Sequence, residues 1–435
     1  MTDFLTVAIH TLGCKVSQYE SAAIKEELLR RGYNVTADID NCDVCIINTC
    51  TVTAEADRKC ASTIRRAASH GAKVIVCGCY SQVHGDDIER EGVVYYVGTA
   101  DKMSCVDAVD AVRDSLAITQ GPICNPDEYG FENMRITDFD RTRAYIKVED
   151  GCDSKCAYCI IPRARGPVRS KHLSDVLEEA RYLVENGCKE IVITGIEVDA
   201  WGKDLNEGNL TDLLEAVDGI DGDFRIRIGS LDPFFINEDF ARRAAKMKKL
   251  APHFHVSVQS ASSAVLAKMR RRYNGEKLEN AIALLKKYVN GVAFTCDVIV
   301  GFPGESEEDF LRTCDFARSV GFINMHIFPY SERPDTVAAS LPNKVSKPER
   351  KNRATRLARI RDEVRDLAVS RLCPIGSTCR VLVETELSDG RFTAHGADFV
   401  EFIVSGNGVK KGEFAIVRVF GCENGVCYGV ILPEK

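Results

Sequence analysis

From its first residues the chain alternates two kinds of stretch. Short apolar runs, "FLTVAIHTL", "DVCIINTC", "KVIVCGC" and "VYYVGT", are separated by longer segments with apolar residues at helical spacing. A short apolar run bounded by polar residues predicts a buried strand, and the longer pattern an amphipathic helix. Ser17-Gln-Tyr-Glu20 has the form of a capping box and predicts a helix through Arg31. "RKCASTIRRAASHG" predicts a helix ended by Gly71, and "KMSCVDAVDAVRDS" another. This rhythm predicts an open α/β sheet over residues 1–120 with helices on its faces. Gly121, Pro122, Pro126 and Gly130 break it and mark residues 121–140 as a linker.

The alternation resumes over residues 141–343. Strands are predicted at "RAYIKVE", "EIVITG", "FRIRIGS", "FHVSVQ", "AFTCDVIVG" and "FINMHIFPY", with helices among them at 175–187, 237–249, 276–289 and 306–319. The last opens on a second capping box, Ser306-Glu-Glu-Asp309. Six such repeats predict a curved parallel sheet, a (βα)6 partial barrel, two repeats short of a closed eightfold one. Residues 344–371 predict one long polar helix after Pro348, with ten Lys/Arg against four Asp/Glu. Residues 372–435 alternate apolar and polar positions between glycine-containing turns, the pattern of a small β-barrel. The fold class is therefore α/β with a C-terminal β-barrel.

Composition narrows the function. At 435 residues and 45% hydrophobic, the chain has the material for two or three globular domains. No apolar run approaches the roughly 18 residues of a membrane helix, and the N-terminus lacks a basic lead and a long apolar core. The expectation is a cytoplasmic protein with no membrane partner. Nineteen cysteines in such a chain point to reduced thiols and metal chemistry. A net charge of −7 repels nucleic acid on average, so such a partner needs local basic patches. Three present themselves: Arg163, Arg165, Arg169 and Lys171; Lys268 with Arg270, Arg271 and Arg272; and residues 344–371, whose alternative reading is a solvated helix face. The tail from Arg371 holds seven Lys/Arg and eight Asp/Glu, so any grip there needs a localised face.

The cysteines carry the chemistry. "GCDSKCAYC" places Cys152, Cys156 and Cys159 in a loop after a strand, with no fourth thiol nearby. Structural zinc takes four ligands in a closed tetrahedron. A [4Fe–4S] cluster has four irons, each ordinarily held by one thiolate, so three cysteines leave one iron open. A zinc site with a distant fourth ligand and a chance grouping of thiols are the competing readings. Cys14, Cys50 and Cys79 end three strands of one sheet and should converge at the crevice where open sheets bind ligands. Their alternative reading is buried strand cysteines, the role assigned to Cys45, Cys60, Cys77, Cys105 and Cys188.

The spacing with an aromatic Tyr158 before the last cysteine resembles the radical S-adenosylmethionine (SAM) superfamily. "TLGCKVSQYES", "INTCTVTAEADRK", "VCGCYSQ", "GCDSKCAYCIIPRARGPVRS", "VIVGFPGESEEDF" and "HIFPYSERPDT" together resemble the methylthiotransferases of that superfamily over nearly the whole chain, ending in a TRAM-like barrel. The resemblance implies two [4Fe–4S] clusters and SAM. Cys14, Cys50 and Cys79 would hold a sulfur-handling cluster, and Cys152, Cys156 and Cys159 the cluster that binds SAM and cleaves it to a radical. Tyr158, Thr194, Gly195, Ser230, Gln259 and Gly301 would line the SAM pocket, although Thr194 and Ser230 are equally ordinary strand-end caps. No catalytic side chain beyond the cluster ligands is identified. Ala261 stands where the family has glycine, and Glu197 and Asp199 stand where the nearest branch has histidine and a small residue.

"NTCTVTAEADRK", "MRRRYN" and "HIFPYSERPDT" resemble the branch acting on N6-threonylcarbamoyl-adenosine-37 of tRNA. That substituent carries a carboxylate, for which Arg163, Arg165 and Arg271 are the candidate cations, Arg165 foremost. The implied partners are tRNA, SAM, a sulfur donor and a flavodoxin- or ferredoxin-like reductant. Three alternatives stay open: isopentenyl-adenosine-37 of tRNA, a ribosomal-protein aspartate, or a non-catalytic iron–sulfur electron carrier.

Overall fold

The computed structural model describes residues 5–88, 92–118, 120, 123–139, 142–406 and 410–433. Its N-terminal sheet is parallel and five-stranded, ordered Asn34–Thr36, Thr6–Thr11, Val44–Thr49, Lys73–Gly78, Val93–Tyr96. The middle strand, Val44–Thr49, is buried at every position, which is why it reads as an unbroken apolar run. Helices Lys15–Arg30, Ala54–Ser69, Cys79–Ile88 and Ser104–Arg113 follow the strands.

The first helix corrects the first capping-box reading. Cys14, not Ser17, is the N-cap, and Ser17 and Glu20 lie buried inside the helix. The same i, i+3 spacing arises within any helix, and here it turns Glu20 towards buried cations. The second box is as predicted: Ser306 and Asp309 cap helix Glu307–Val320 reciprocally. Of the expected breakers, Gly121 and Pro122 lie outside the described residues, while the stretch 123–139 that holds Pro126 and Gly130 packs closely. Pro126, Met134 and Ile136 are buried, and the Met134 carbonyl accepts from Tyr19 Oη at 2.6 Å.

The central block is built from six parallel strand positions. Ala144–Lys147, Glu190–Thr194 and Arg225–Ile228 form one sheet; Ser230–Leu231, His253–Gln259, Ala293–Val300 and Asn324–Pro329 form the next. Arg225–Ile228 and Ser230–Leu231 are one strand interrupted at Gly229, which joins the two sheets into a partial barrel. Along His253–Gln259 the even positions are buried in the core, and His255, Ser257 and Gln259 face the more open interior. Helices Leu210–Asp218, Ser263–Lys268 and Gly275–Tyr288 lie among those on the outside.

The C-terminal barrel closes around strands Thr378–Glu386, Phe392–Gly396, Glu401–Ser405, Val426–Ile431 and Phe414–Glu423. It docks on the N-terminal ends of the central strands. Buried Glu190 pairs with Arg143 (2.7 Å), Arg225 and Arg227 (2.9 Å). Arg225 and Arg227 then donate to the carbonyls of His395, Gly396 and Ala397 at 2.7–3.0 Å. Phe399, held at φ +67°, stacks on His253 with ring centroids 4.8 Å apart and lies under the Arg227 guanidinium. The long helix spans Lys347–Leu372. It buries Leu357, Ile360 and Val364 in the main core, so it is not polar all round. Among the described residues no helix is long and apolar enough to cross a membrane.

Candidate active site

Each cysteine of the first triad stands at the carboxyl end of a neighbouring strand. Cys14 follows Thr6–Thr11, Cys50 follows Val44–Thr49, and Cys79 follows Lys73–Gly78 and opens a helix. Burial pushes the Cys50 thiol up to about 11, and the charges of Cys79 and Cys14 push the same way. Cys79 is raised by burial as well, against a depressing Arg165. Gly78 takes φ +104°, and a Cβ there would stand 2.7 Å from the Thr49 carbonyl, so only glycine lets the two strand ends approach.

The second triad lies on the loop between Glu149–Asp150 and helix Ile161–Arg165. Gly151 turns this loop at φ +88°; a Cβ would stand 1.8 Å from the Pro167 carbonyl. Burial holds Cys159 up at about 12, with Cys156 and then Cys79 of the other triad adding to it. Arg165, at the end of the helix that follows Cys159, reaches Cys79 Sγ at 3.2 Å and so links the two triads. Cys152 Sγ donates to Glu197 at 2.9 Å, and Cys156 Sγ accepts from Arg271 at 3.1 Å. Soft sulfur donors in sets of three, one set on three neighbouring strand ends and one on a single loop, fit iron–sulfur ligation.

A buried charge network joins the triads, and it corrects the reading of Arg165. That residue has no exposed side-chain surface. Its Nε donates to Cys79 Sγ at 3.2 Å, and its Nη1 to Asp150 at 2.9 Å and Glu20 at 3.2 Å. Lys102 reaches Glu20 at 2.5 Å; Lys147 reaches Glu20 at 3.0 Å and Asp150 at 2.6 Å. Arg169 stands 3.9 Å from Asp150 as well, so four cations gather on these two carboxylates beside the thiols. Arg165 is thus a positioning residue, unable to meet a substrate carboxylate. The pattern gave no warning, because Glu20, Lys102 and Lys147 come from three separate elements and pair only through the tertiary fold.

The other candidate cations are also engaged. Arg163 is exposed and pairs with Asp335 at 2.6 Å; Arg271 pairs with Asp232 at 2.6 Å besides Cys156. The residues named for the SAM pocket stand on the loop of the second triad and at the carboxyl ends of barrel strands. Tyr158 packs edge-on to Phe302, with centroids 6.3 Å apart. Thr194 and Gly195 end their strand beside Gly229, and Ser230 Oγ bonds Ser257 Oγ at 2.6 Å. Gln259 takes φ +56°, a strained setting for a non-glycine residue and one common at ligand sites. Gly301 departs from the group: a Cβ there would meet Arg350 of the long helix at 2.3 Å, so its constraint is helix packing. Ala261 is not among the residues with positive φ, so the change from glycine costs no backbone strain. Glu197 and Asp199 join Asp232 and Arg272 at the mouth, with Arg272 2.5 Å from Glu197. Burial, with Asp232 and Glu197 adding, lifts Asp199 to about 7. Glu149, missed in the sequence, accepts from the Glu197 backbone at 2.8 Å and fixes the loop. Arg353, assigned to a basic patch, is buried against Glu305 at 2.6 Å, whereas Arg359 is exposed.

A partial barrel with a three-cysteine loop at its mouth is the arrangement of a radical SAM enzyme, and Cys14, Cys50 and Cys79 are candidates for a further iron–sulfur site. Residues 146–317 match the Radical SAM superfamily, and residues 6–98 match the uncharacterized protein family UPF0004. In fold the chain is similar to the radical SAM methyltransferase TsrM of Kitasatospora setae, with TM-score 0.58, 16% identity and 77% of each chain covered. It is 38% identical to the threonylcarbamoyladenosine tRNA methylthiotransferase MtaB of Bacillus subtilis over 82% of this chain and 81% of that one. The MtaB of Thermotoga maritima is 36% identical over 95% and 94%. The tRNA-2-methylthio-N(6)-dimethylallyladenosine synthase of Fusobacterium nucleatum is 32% identical over 98% and 99%. The chain belongs to the radical SAM methylthiotransferase family, whose members use SAM and [4Fe–4S] clusters.

Proposed function

We propose that the chain methylthiolates C2 of N6-threonylcarbamoyl-adenosine at position 37 of tRNA. The observation that carries this reading is the pair of cysteine triads bridged by Arg165, which bonds Cys79 of one at 3.2 Å and Asp150, at the start of the loop bearing the other, at 2.9 Å. The choice of acceptor is supported by relatives named for threonylcarbamoyladenosine, at 33–38% identity, against 32% for dimethylallyladenosine synthases and 30% for a ribosomal protein uS12 methylthiotransferase.

Cys14, Cys50 and Cys79 would hold one cluster, and Cys152, Cys156 and Cys159 the other. Loaded with SAM, they supply the radical and sulfur chemistry that an unactivated C2–H bond requires. The chain's own residues prepare the site. Lys102, Lys147 and Arg165 offset the negative charge of the thiolates, while Glu149 and Gly195 fix the strand end beneath the second triad. Tyr158 and Phe302 close one side against water. A sulfur donor and a flavodoxin- or ferredoxin-like reductant complete the reaction, in the cytoplasm where tRNA is handled. The test is anaerobically reconstituted enzyme on two tRNAs, one with threonylcarbamoyl-adenosine-37 and one with isopentenyl-adenosine-37. Preference for the first supports the reading; preference for the second refutes it.

A further inference from the structure

The interior of the partial barrel holds three ligating side chains that belong to neither triad. His255, Asp297 and His326 stand on the adjacent parallel strands His253–Gln259, Ala293–Val300 and Asn324–Pro329, and Asp297 and His326 are direct partners across the ladder. Each offers one ligand atom, and these atoms all lie within 4.8 Å of one another. His255 Nε2 is 3.3 Å from Asp297 Oδ2. Metal–ligand bonds of about 2.0–2.1 Å in a tetrahedron set neighbouring ligand atoms about 3.3–3.4 Å apart. This pair therefore already has the spacing of two ligands on one zinc ion. The other ring nitrogen of His255 is held, with Nδ1 2.9 Å from Thr295 Oγ1, a hydroxyl that also meets His253 Nε2 at 3.0 Å. With the hydroxyl proton directed to His253, His255 donates from Nδ1 to Thr295 and presents a bare Nε2 lone pair. A hydrogen bond on the far nitrogen is what orients a ligating imidazole. The rings of His255 and His326 are 5.8 Å apart, and His326, exposed on the edge strand, has room to turn onto the same point.

Two imidazoles and one carboxylate, with further positions open, are the donor set of a catalytic-type zinc site. A charge-assisted hydrogen bond between His255 and Asp297 explains the geometry less well. Such bonds run near about 2.7–2.9 Å, shorter than the contact here, and they give no reason for a third ligand atom beside the pair. Lys15 and Arg361 act on the charge of His326 and work against a dication, which favours zinc over the more weakly held manganese. We propose that His255, Asp297 and His326 form a zinc site on the barrel wall, with water or another oxygen ligand from the interior completing the coordination. Each ligand comes from a different strand, so the ion would tie the last strand of an incomplete barrel to its two neighbours. The site shares no residue with either triad and does not depend on which acceptor the enzyme takes.

The experiment measures the zinc and iron content of anaerobically reconstituted enzyme after incubation with zinc and removal of unbound ion by gel filtration. Wild type should hold about one zinc per chain more than either Asp297→Asn or His326→Ala, whose iron content should match wild type. His326 is exposed on an edge strand, so its alanine variant tests the site without disturbing the core. Thiols outside the triads also take zinc, so the difference between wild type and variants is the reading, not the total. Zinc should also raise the thermal unfolding midpoint of wild type above any shift seen in the two variants, because an ion bound only by the folded chain stabilises it. Equal zinc in wild type and both variants would assign the metal to thiols and overturn the inference. So would a wild type that retains none.

Discussion

Arg165→Met separates a positioning role from a substrate-binding one. The side chain is wholly buried and makes three polar contacts, to Cys79, Asp150 and Glu20. Methionine fills most of the volume but makes none of them. Two lost contacts to carboxylates at about 1.5–3 kcal/mol each give roughly 3–6 kcal/mol, which agrees with the 3–5 kcal/mol or so typical of breaking a buried ion pair. The partners then remain buried with Lys102 and Lys147 alone to satisfy them, and no cation contacts Cys79. Arg165→Met should therefore lower the midpoint of urea unfolding followed at the interface between the first two domains. It should also reduce the iron retained by the first triad, while Arg165→Lys recovers part of both. Iron content and the unfolding curve of anaerobic protein read these effects directly. Normal stability and full iron, combined with a selective loss of affinity for threonylcarbamoyl-adenosine tRNA, would show that Arg165 meets substrate and that the buried network is misassigned.

Other outcomes follow from the same structure. Three arginines hold Glu190 at about 2, against burial that raises it, so its contribution is complete above the ordinary carboxylate range and fades as pH falls from about 4.5 towards 2; Glu190→Gln should lose stability at neutral pH and flatten the acid limb of an unfolding-versus-pH curve. Asp199 has the opposite sign: its pKa near 7 means that stability present at low pH is lost as pH rises through 7, and Asp199→Asn should abolish that slope in a thermal-shift series. Arg353→Ala should destabilise the protein, because it strands buried Glu305, whereas Arg359→Ala should leave stability unchanged and reduce the salt slope of tRNA binding by up to about one unit. Gly151→Ala should disorder the second triad, read as lost reductive SAM cleavage, because no side chain fits against Pro167.

Much of the fold was legible because it is written in period and punctuation. The apolar runs of the N-terminal sheet and the six strands of the central block stand out as buried segments, and Ser306 announces its helix by local hydrogen bonding. The cysteines were legible by spacing within the loop and, for the first triad, by their places at strand ends. What escaped was pairing at a distance. Ser17 and Glu20 satisfy a capping pattern, yet Glu20 turns inward because Lys102 and Lys147, more than eighty residues away, need its charge. Arg165 and Arg353 look like surface cations in a basic run; their burial depends on Asp150 and Glu305 meeting them.

The central claim is that two triads in one chain perform a methylthiolation that neither can perform alone. The most direct measurement is mass analysis of tRNA nucleosides after reaction with anaerobic wild type, Cys50→Ala and Cys156→Ala, alongside 5′-deoxyadenosine formed from SAM in the same tubes. Wild type should yield 2-methylthio-N6-threonylcarbamoyl-adenosine. Cys50→Ala should still cleave SAM but yield none, and Cys156→Ala should do neither. Full methylthio product from Cys50→Ala would contradict the account.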